Sequence, residues 1–368
     1  MIRHLYVHVP FCLRRCSYCD FAVTALSEAP TDAWVEAIAR EVAQTPGGSL
    51  DTIYVGGGTP SLIGGAGMRG LRDVMRAKYS WNQDVEWTAE ANPETLTIDV
   101  AREWKDAGVN RISLGAQTFN EEALRWMGRM HGVEGPQRAL QYVKDAGIDN
   151  VSIDLIFGLP ARFERDWRAD LERVIDMRPE HVSLYGLTAE KGTPLGRWVE
   201  EGREALADED QYVDEYMLAV ELLTAAGFEH YEVSNFARPG RASRHNQAYW
   251  QGVPYIGLGP GAHSFVPPER YWNVRDWREY AGKLEAGESP QAGSEVITDV
   301  VSLERAWLGL RTSDGLNLSE LSDAQRSKVE EWERAGLAGV SEGLVRLTAR
   351  GWLILDRLVV ELDISRAI

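Results

Sequence analysis

The sequence predicts an α/β protein built on a parallel sheet, followed by a smaller α+β unit. Three observations carry this. Short, almost continuously apolar runs alternate with longer stretches whose apolar residues recur every three or four positions. The apolar runs are what strands buried on both faces look like, as in parallel sheets covered by helices. Glycines close several of the periodic stretches, at Ala107-Gly108 and Ala146-Gly147, where a helix stop is expected.

Strands are expected over 5–9, 52–55, 85–89, 111–115, 151–157 and 182–187. Helices are expected over about 32–44, 67–79, 98–107, 121–127, 135–146 and 164–177. Six such units are too few for a closed eight-fold barrel and suit a partial one. A long helix over 209–226 then leads into an irregular, aromatic-rich segment reaching about residue 280. Beyond it, 302–309 and 321–335 read as helices, 337–347 as a hairpin and 348–358 as a last helix. That order resembles a winged-helix module. The expected division is a barrel over 1–230, the irregular segment packed on it over 231–295, and the winged-helix-like unit over 296–368.

Composition narrows the function. A chain of 368 residues with 44% hydrophobic and 26% charged residues is ordinary for a soluble globular protein of more than one core. A formal net charge of −17 argues against a nucleic-acid partner. The C-terminal unit agrees, because acidic residues alternate with arginine where a recognition helix would be basic. The longest charge-free run, 52–68, holds six glycines and reads as strand and loop, so no membrane span is expected. No apolar core of a signal peptide follows Met1. Most of the thirteen tryptophans belong in cores and interfaces.

The chemistry is concentrated in Cys12-Leu-Arg-Arg-Cys16-Ser-Tyr18-Cys19, which follows the first strand and a Pro10-Phe11 break and contains every cysteine of the chain. Three thiols at gaps of three and two residues converge on one site. A structural zinc needs a fourth ligand, and neither His4 nor His8 forms a second ligand pair. A disulfide with one spare thiol would suit a secreted chain. An iron–sulfur cubane fits the spacing best, with three thiolates leaving one iron open. The second strand ends in Gly56-Gly57-Gly58-Thr59-Pro60, a turn whose backbone N–H groups can approach a ligand. Further polar residues close the later strands: Glu90 and Asn92, Gln117, and Asp154 ahead of Gly158-Leu-Pro160. Parallel barrels keep their ligands at such strand ends.

The cysteine spacing, with Tyr18 before the last cysteine, resembles the radical S-adenosylmethionine (SAM) superfamily. That resemblance implies a three-quarter barrel, a [4Fe–4S] cluster on Cys12, Cys16 and Cys19, and SAM on the open iron. The glycine turn is similar to the Gly-Gly-x-Pro element that holds the SAM amino group. Residue by residue, the chain resembles the coproporphyrinogen-oxidase-like branch, which implies that Tyr6, Tyr18, Gly57, Gly58, Thr59, Glu90, Gln117, Arg129 and Asp154 surround SAM.

Two departures matter. The oxidase has a fourth cysteine two residues after the third, where this chain has Phe21, and a long N-terminal arm, where this chain begins just before its first strand. Both are similar instead to the HemW-type haem chaperones. Arg244-His245-Asn246-Gln-Ala-Tyr249-Trp250 also resembles their His-Asn-x-x-Tyr-Trp motif. The resemblance implies haem binding near His245, read either as an exposed axial ligand beside Tyr249 and Trp250 or as a structural histidine of an aromatic loop; His263, as ligand or support, and Met127, Met130 and His131 are further candidates from the residues themselves. It implies delivery of haem to recipient haemoproteins, respiratory ones in particular, in the cytoplasm. A cluster edge left open by the short N-terminus would suit a homodimer. The rival reading is radical oxidation of coproporphyrinogen III, and a third is a zinc-stabilised barrel without redox chemistry.

Overall fold

In a computed structural model, residues 2–297 and 303–366 are described. Six strands run parallel and in sequence order: β1 (Ile2–Val9), β2 (Gly48–Gly57), β3 (Glu86–Ala91), β4 (Arg111–Gln117), β5 (Asn150–Phe157) and β6 (His181–Gly186). Helices α1 (Thr31–Gln44), α2 (Gly64–Arg76), α3 (Ile98–Ala107), α4 (Glu121–Met127), α5 (Gly135–Asp145), α6 (Trp167–Met177), α7 (Pro194–Glu200) and α8 (Glu209–Ala225) lie between and after them. A further antiparallel pair, β7 (Glu229–Glu232) and β8 (Asn235–Ala237), joins the sheet at β6.

The segment expected to be irregular extends this sheet on the other side. After α9 (Arg244–Trp250), strand β9 (Tyr255–Leu258) pairs parallel with β1. The antiparallel strands β10 (His263–Val266), β11 (Glu269–Asn273) and β12 (Gln291–Val296) follow, with α10 (Trp277–Glu285) between the last two. The four-residue β9 has no periodicity of its own. Its pairing with β1 and β10 makes it a strand.

The strands are buried on both faces, but the two faces differ, which corrects the expectation of continuously apolar strands. Leu5, Val7 and Val9 of β1 and Ile53 and Val55 of β2 pack outward under the helices, with Trp34, Met68 and Trp104 fully buried there. The alternate residues face the barrel interior and are polar: His4, Tyr6 and His8, then Thr52 and Tyr54, then Glu86, Thr88 and Glu90. Buried polar groups need partners, and these pair across the lumen. Ser152 Oγ, for example, lies 3.0 Å from Asp154 Oδ1, 2.8 Å from His181 Nδ1 and 3.2 Å from Ser183 Oγ.

Local chemistry moved several boundaries. Asp166 caps α6 by accepting from Ala169 N, so that helix starts at Trp167 rather than 164. Helix α2 ends at Arg76 because Tyr79 and Ser80 pair with β2 instead. The C-terminal unit comprises α11 (Leu303–Leu310), β13 (Leu316–Asn317), α12 (Asp323–Arg334), the hairpin β14 (Ala338–Ser341) and β15 (Leu344–Leu347), and two helices, α13 (Ala349–Leu353) and α14 (Leu355–Arg366). The single helix expected over 348–358 is broken at Ile354. Ser302, the expected start of the first helix here, lies outside the described residues, as do 298–301 of the unit expected to begin at 296. The unit has its own core around Leu310, Val329, Trp332, Val345 and Leu358. It joins the barrel through a buried ion pair, Arg311 to Glu232 at 3.5 Å, and through the Val233 N–H donating to the Arg311 carbonyl at 3.1 Å.

Candidate functional site

The cysteine loop leaves the C-terminal end of β1 and is pinned at several points. Phe11–Cys12 pairs with Thr24–Ala25, closing both ends of the loop. Its middle is tied down by Ser17 N to the Met127 carbonyl at 3.2 Å and by Leu195 N to the Ser17 carbonyl at 2.9 Å. All three cysteines are free thiols, which removes the disulfide alternative. Among the described residues no three His, Cys, Asp or Glu side chains gather around a single ion position. A cubane does not need that, because each thiolate takes its own iron. Burial pushes the Cys19 thiol up to about 11 and raises Cys12 in the same direction. Two donors face the sulfurs: Thr59 Oγ1 lies 3.5 Å from Cys12 Sγ, and Arg129 Nη1 lies 3.9 Å from Cys16 Sγ. The donor set fits an iron–sulfur cluster.

The glycine turn approaches the cysteines for steric reasons. Gly57 has φ of 110°, and a Cβ there would stand 2.4 Å from the His8 ring. A Cβ on Gly58 would meet the Phe11 carbonyl at 2.6 Å and Cys12 Sγ at 3.1 Å. Beyond the turn, a polar chain runs around the barrel rim. Asn92 Nδ2 donates to Thr59 Oγ1 at 3.1 Å, and Arg129 Nη2 donates to Asn92 Oδ1 at 2.8 Å and to the Gly115 carbonyl at 2.7 Å. Gln117 sits over Gly115, at φ of 68°, where the register between β4 and β5 shifts.

A second cluster lies deeper. Glu90 accepts from the Tyr54 hydroxyl at 2.8 Å and from the Gly57 N–H at 3.0 Å. Burial raises its carboxyl to about 7, with Asp154 adding to the rise and the two donors opposing it. Tyr6 stacks on Tyr54, and its hydroxyl lies 2.9 Å from His8 Nδ1. Asp154, two strands on from Glu90, is held by Ser113 at 3.0 Å and Ser152 at 3.0 Å. Tyr18 packs with Met127 and Trp126 behind Cys16, with its hydroxyl near the Cys16 thiol and Arg129. The structure thus places Tyr18, Gly58, Thr59 and Arg129 at the cysteines with Gln117 beside Arg129, Tyr6, Gly57 and Glu90 beneath them, and Asp154 to the side.

A cavity of about 980 Å³, large for a ligand site, opens from this second cluster toward the C-terminal unit. Tyr6, His8, Gly57 and Glu90 line one end, and Tyr249, Trp250, His263, Phe265, Arg275 and Trp307 line the other. His245 is not on its wall, and the expectation of an exposed histidine is overturned. It is 1% exposed. Its Nδ1 lies 2.7 Å from Thr52 Oγ1, which also bonds His4, and its Nε2 lies 3.0 Å from the Tyr249 hydroxyl. The Glu86 carboxylate accepts from the Arg244 and His245 backbone N–H groups, both at 3.0 Å, and so docks α9. Glu86 opens β3 and Thr52 pairs beside it in mid-β2, both away from the C-terminal strand ends where barrels keep reactive groups. His245 anchors the helix that carries Tyr249 and Trp250 to the cavity. Met127 is buried, while Met130 and His131 lie near Arg129, away from this cavity.

Sequence reasoning passed over Tyr54, Arg275 and Trp307. Tyr54 could have been found from the polar alternation along β2; the other two meet the cavity only through the tertiary fold.

Residues 6–174 match the radical SAM superfamily. Over 366 residues, 96% of this chain and 93% of the relative, the sequence is 37% identical to the heme chaperone HemW of Mycobacterium tuberculosis. The chain belongs to the HemW family. It is also 31% identical over 367 residues to the heme chaperone HemW of Bacillus subtilis, covering 96% of this chain and 97% of that one. Among solved structures, the coproporphyrinogen III oxidase HemN of Escherichia coli aligns over 98% of this chain and 90% of its own with a TM-score of 0.84. At 22% identity that likeness speaks for the fold alone. Family membership implies SAM and a [4Fe–4S] cluster as cofactors, consistent with the donor set above. No helix of the described residues is long and apolar enough to cross a membrane.

Proposed function

We propose that this protein is a haem chaperone, which binds haem in the large cavity and passes it to haemoproteins, respiratory ones among them, in the cytoplasm. The cavity is the observation that carries the reading. It is large enough to take more than a SAM end, and its outer end is lined by Tyr249, Trp250, Phe265 and Trp307 with Arg275 beside them, which suits a flat apolar macrocycle with a carboxylate tail. The names of the two relatives support the same activity. In this reading Cys12, Cys16 and Cys19 hold the cluster. SAM lies along Gly57, Gly58 and Thr59, with Arg129 and Gln117 toward its carboxylate and Tyr6, Tyr18, Glu90 and Asp154 around the rest. The cluster and SAM would supply electron transfer when bound; the protein's own residues orient SAM beside the haem cavity. A homodimer would form across the exposed Leu13, Phe21 and Met130 beside the cysteine loop.

The test is anaerobic. Reconstituted protein is incubated with haem and an apo-haemoprotein, and separately with coproporphyrinogen III, SAM and a reductant. Stoichiometric haem binding followed by transfer, without porphyrinogen turnover, is the expected result. Turnover with release of 5′-deoxyadenosine would make the chain an oxidase and overturn the proposal.

A further inference from the structure

We infer that His263 supplies the axial nitrogen to the iron of a haem held in the cavity. The inference rests on the haem reading above and replaces His245 as its ligand.

The chain has seven histidines, and six are engaged. His8, His181 and His245 use both ring nitrogens in hydrogen bonds. His4 bonds Thr52, His131 bonds Arg129 and the Gly132 carbonyl, and His230 approaches the Val233 carbonyl. His263 is exposed, lines the cavity, and has no hydrogen bond on either ring nitrogen among the described residues. Among the described residues no methionine or cysteine lines that cavity. Its tyrosines are poor alternatives, since the hydroxyls of Tyr6, Tyr231 and Tyr249 are bonded to histidines and burial keeps Tyr255 protonated.

The ring of His263 is also held for the task. It stacks on Trp272 at 5.7 Å between centroids and 27° between planes, directly across the β10–β11 pairing. A ligand fixed on a hairpin loses little freedom on coordinating. Burial, with Arg270 and Arg275 nearby, lowers its pKa despite Glu295, keeping the imidazole neutral, which is the ligating form. Phe265 lies on the same face two residues on, offering apolar surface beside the ring.

The arginines add a polarity to the site. Arg270 is committed to Glu295 and Glu304, and Arg305 to Glu320. Arg275 donates to the Asp20 carbonyl and has no carboxylate partner among the described residues. A haem propionate would give it one, orienting the macrocycle with its tails toward the cysteine loop.

Haem titrations of the full chain test this by optical, magnetic circular dichroism and electron paramagnetic resonance spectra. Wild type should show histidine ligation. His263→Ala should lose that signature and bind about tenfold or more weakly, an effect of the size seen when even outer partners of a metal are removed. Free imidazole should restore the signature. His245→Gln, which keeps hydrogen-bonding atoms at a buried position, should retain it. A wild-type spectrum in His263→Ala, or its loss in a folded His245→Gln alone, would overturn the assignment while leaving the chaperone reading intact. Failure of wild type to bind haem would overturn both.

Discussion

Glu90 makes the most direct electrostatic prediction. Burial holds its carboxyl at about 7 instead of the ordinary 4.5, a cost of roughly 3 kcal/mol to keep it ionised. In the proposed site SAM would bring a sulfonium and ribose hydroxyls beside Glu90, both of which favour the carboxylate. The carboxyl pKa must therefore be lower in the complex than in the free protein, so binding releases a proton. Affinity for SAM should rise with pH and level off above about 7. If the pKa falls fully back to 4.5, the gain is bounded at about 300-fold, the 2.5-unit gap at tenfold per unit. Near pH 7 about half a proton should leave per SAM bound, since the carboxyl is then half protonated. Calorimetry of the reconstituted protein in two buffers of different ionisation enthalpy measures this directly. Glu90→Gln should bind SAM with little pH dependence. A flat profile in the wild type between about pH 5 and 8, or an unchanged slope in Glu90→Gln, would refute the reasoning.

Three further outcomes are expected. Cys12→Ser, Cys16→Ser and Cys19→Ser should each lose the visible band of the cluster and most of the bound iron and sulfide; a variant that keeps all of these would remove its cysteine from the ligand set. Gly57→Ala places a methyl group 2.4 Å from the His8 ring at a φ of 110°, and should cost about 1–3 kcal/mol in denaturant unfolding and weaken SAM binding together; normal values for both would mean the turn is not the tight approach described. Arg311→Met leaves Glu232, whose side chain is 0% exposed, without its cation, and should destabilise the chain by about 3–5 kcal/mol in urea. Adding Glu232→Leu should recover much of that loss, whereas a single variant within about 0.5 kcal/mol of wild type would show the pair to be idle.

The lumen is where sequence and structure differ most instructively. His4, Tyr6 and His8, Thr52 and Tyr54, and Glu86, Thr88 and Glu90 recur at every second position of strands that otherwise look apolar. The period of two marks them as sharing a face, but a half-polar strand of this kind usually has its polar face in water. Here that face is turned inward and must be satisfied by the neighbouring strands. His245 shows the limit of motif reading in the same way. Its sequence neighbours Tyr249 and Trp250 do reach the cavity, and Tyr249, one helical turn on, bonds the His245 ring. The histidine itself points at Thr52, 193 positions away in the chain, and no local signal could have said so.

The sequence by itself determined the alternation of strands and helices, the cysteine site and the glycine turn beside it. Those depend on residues close in the chain, whose periodicity and backbone freedom act locally. Only the tertiary structure decided that β9 completes the sheet, that α9 and α11 close a cavity over the barrel mouth, and that His263 rather than His245 faces it with free ring nitrogens. Burial and hydrogen-bond partnership there are set by elements far apart in sequence, and a side chain's availability for chemistry is whatever those partners leave it.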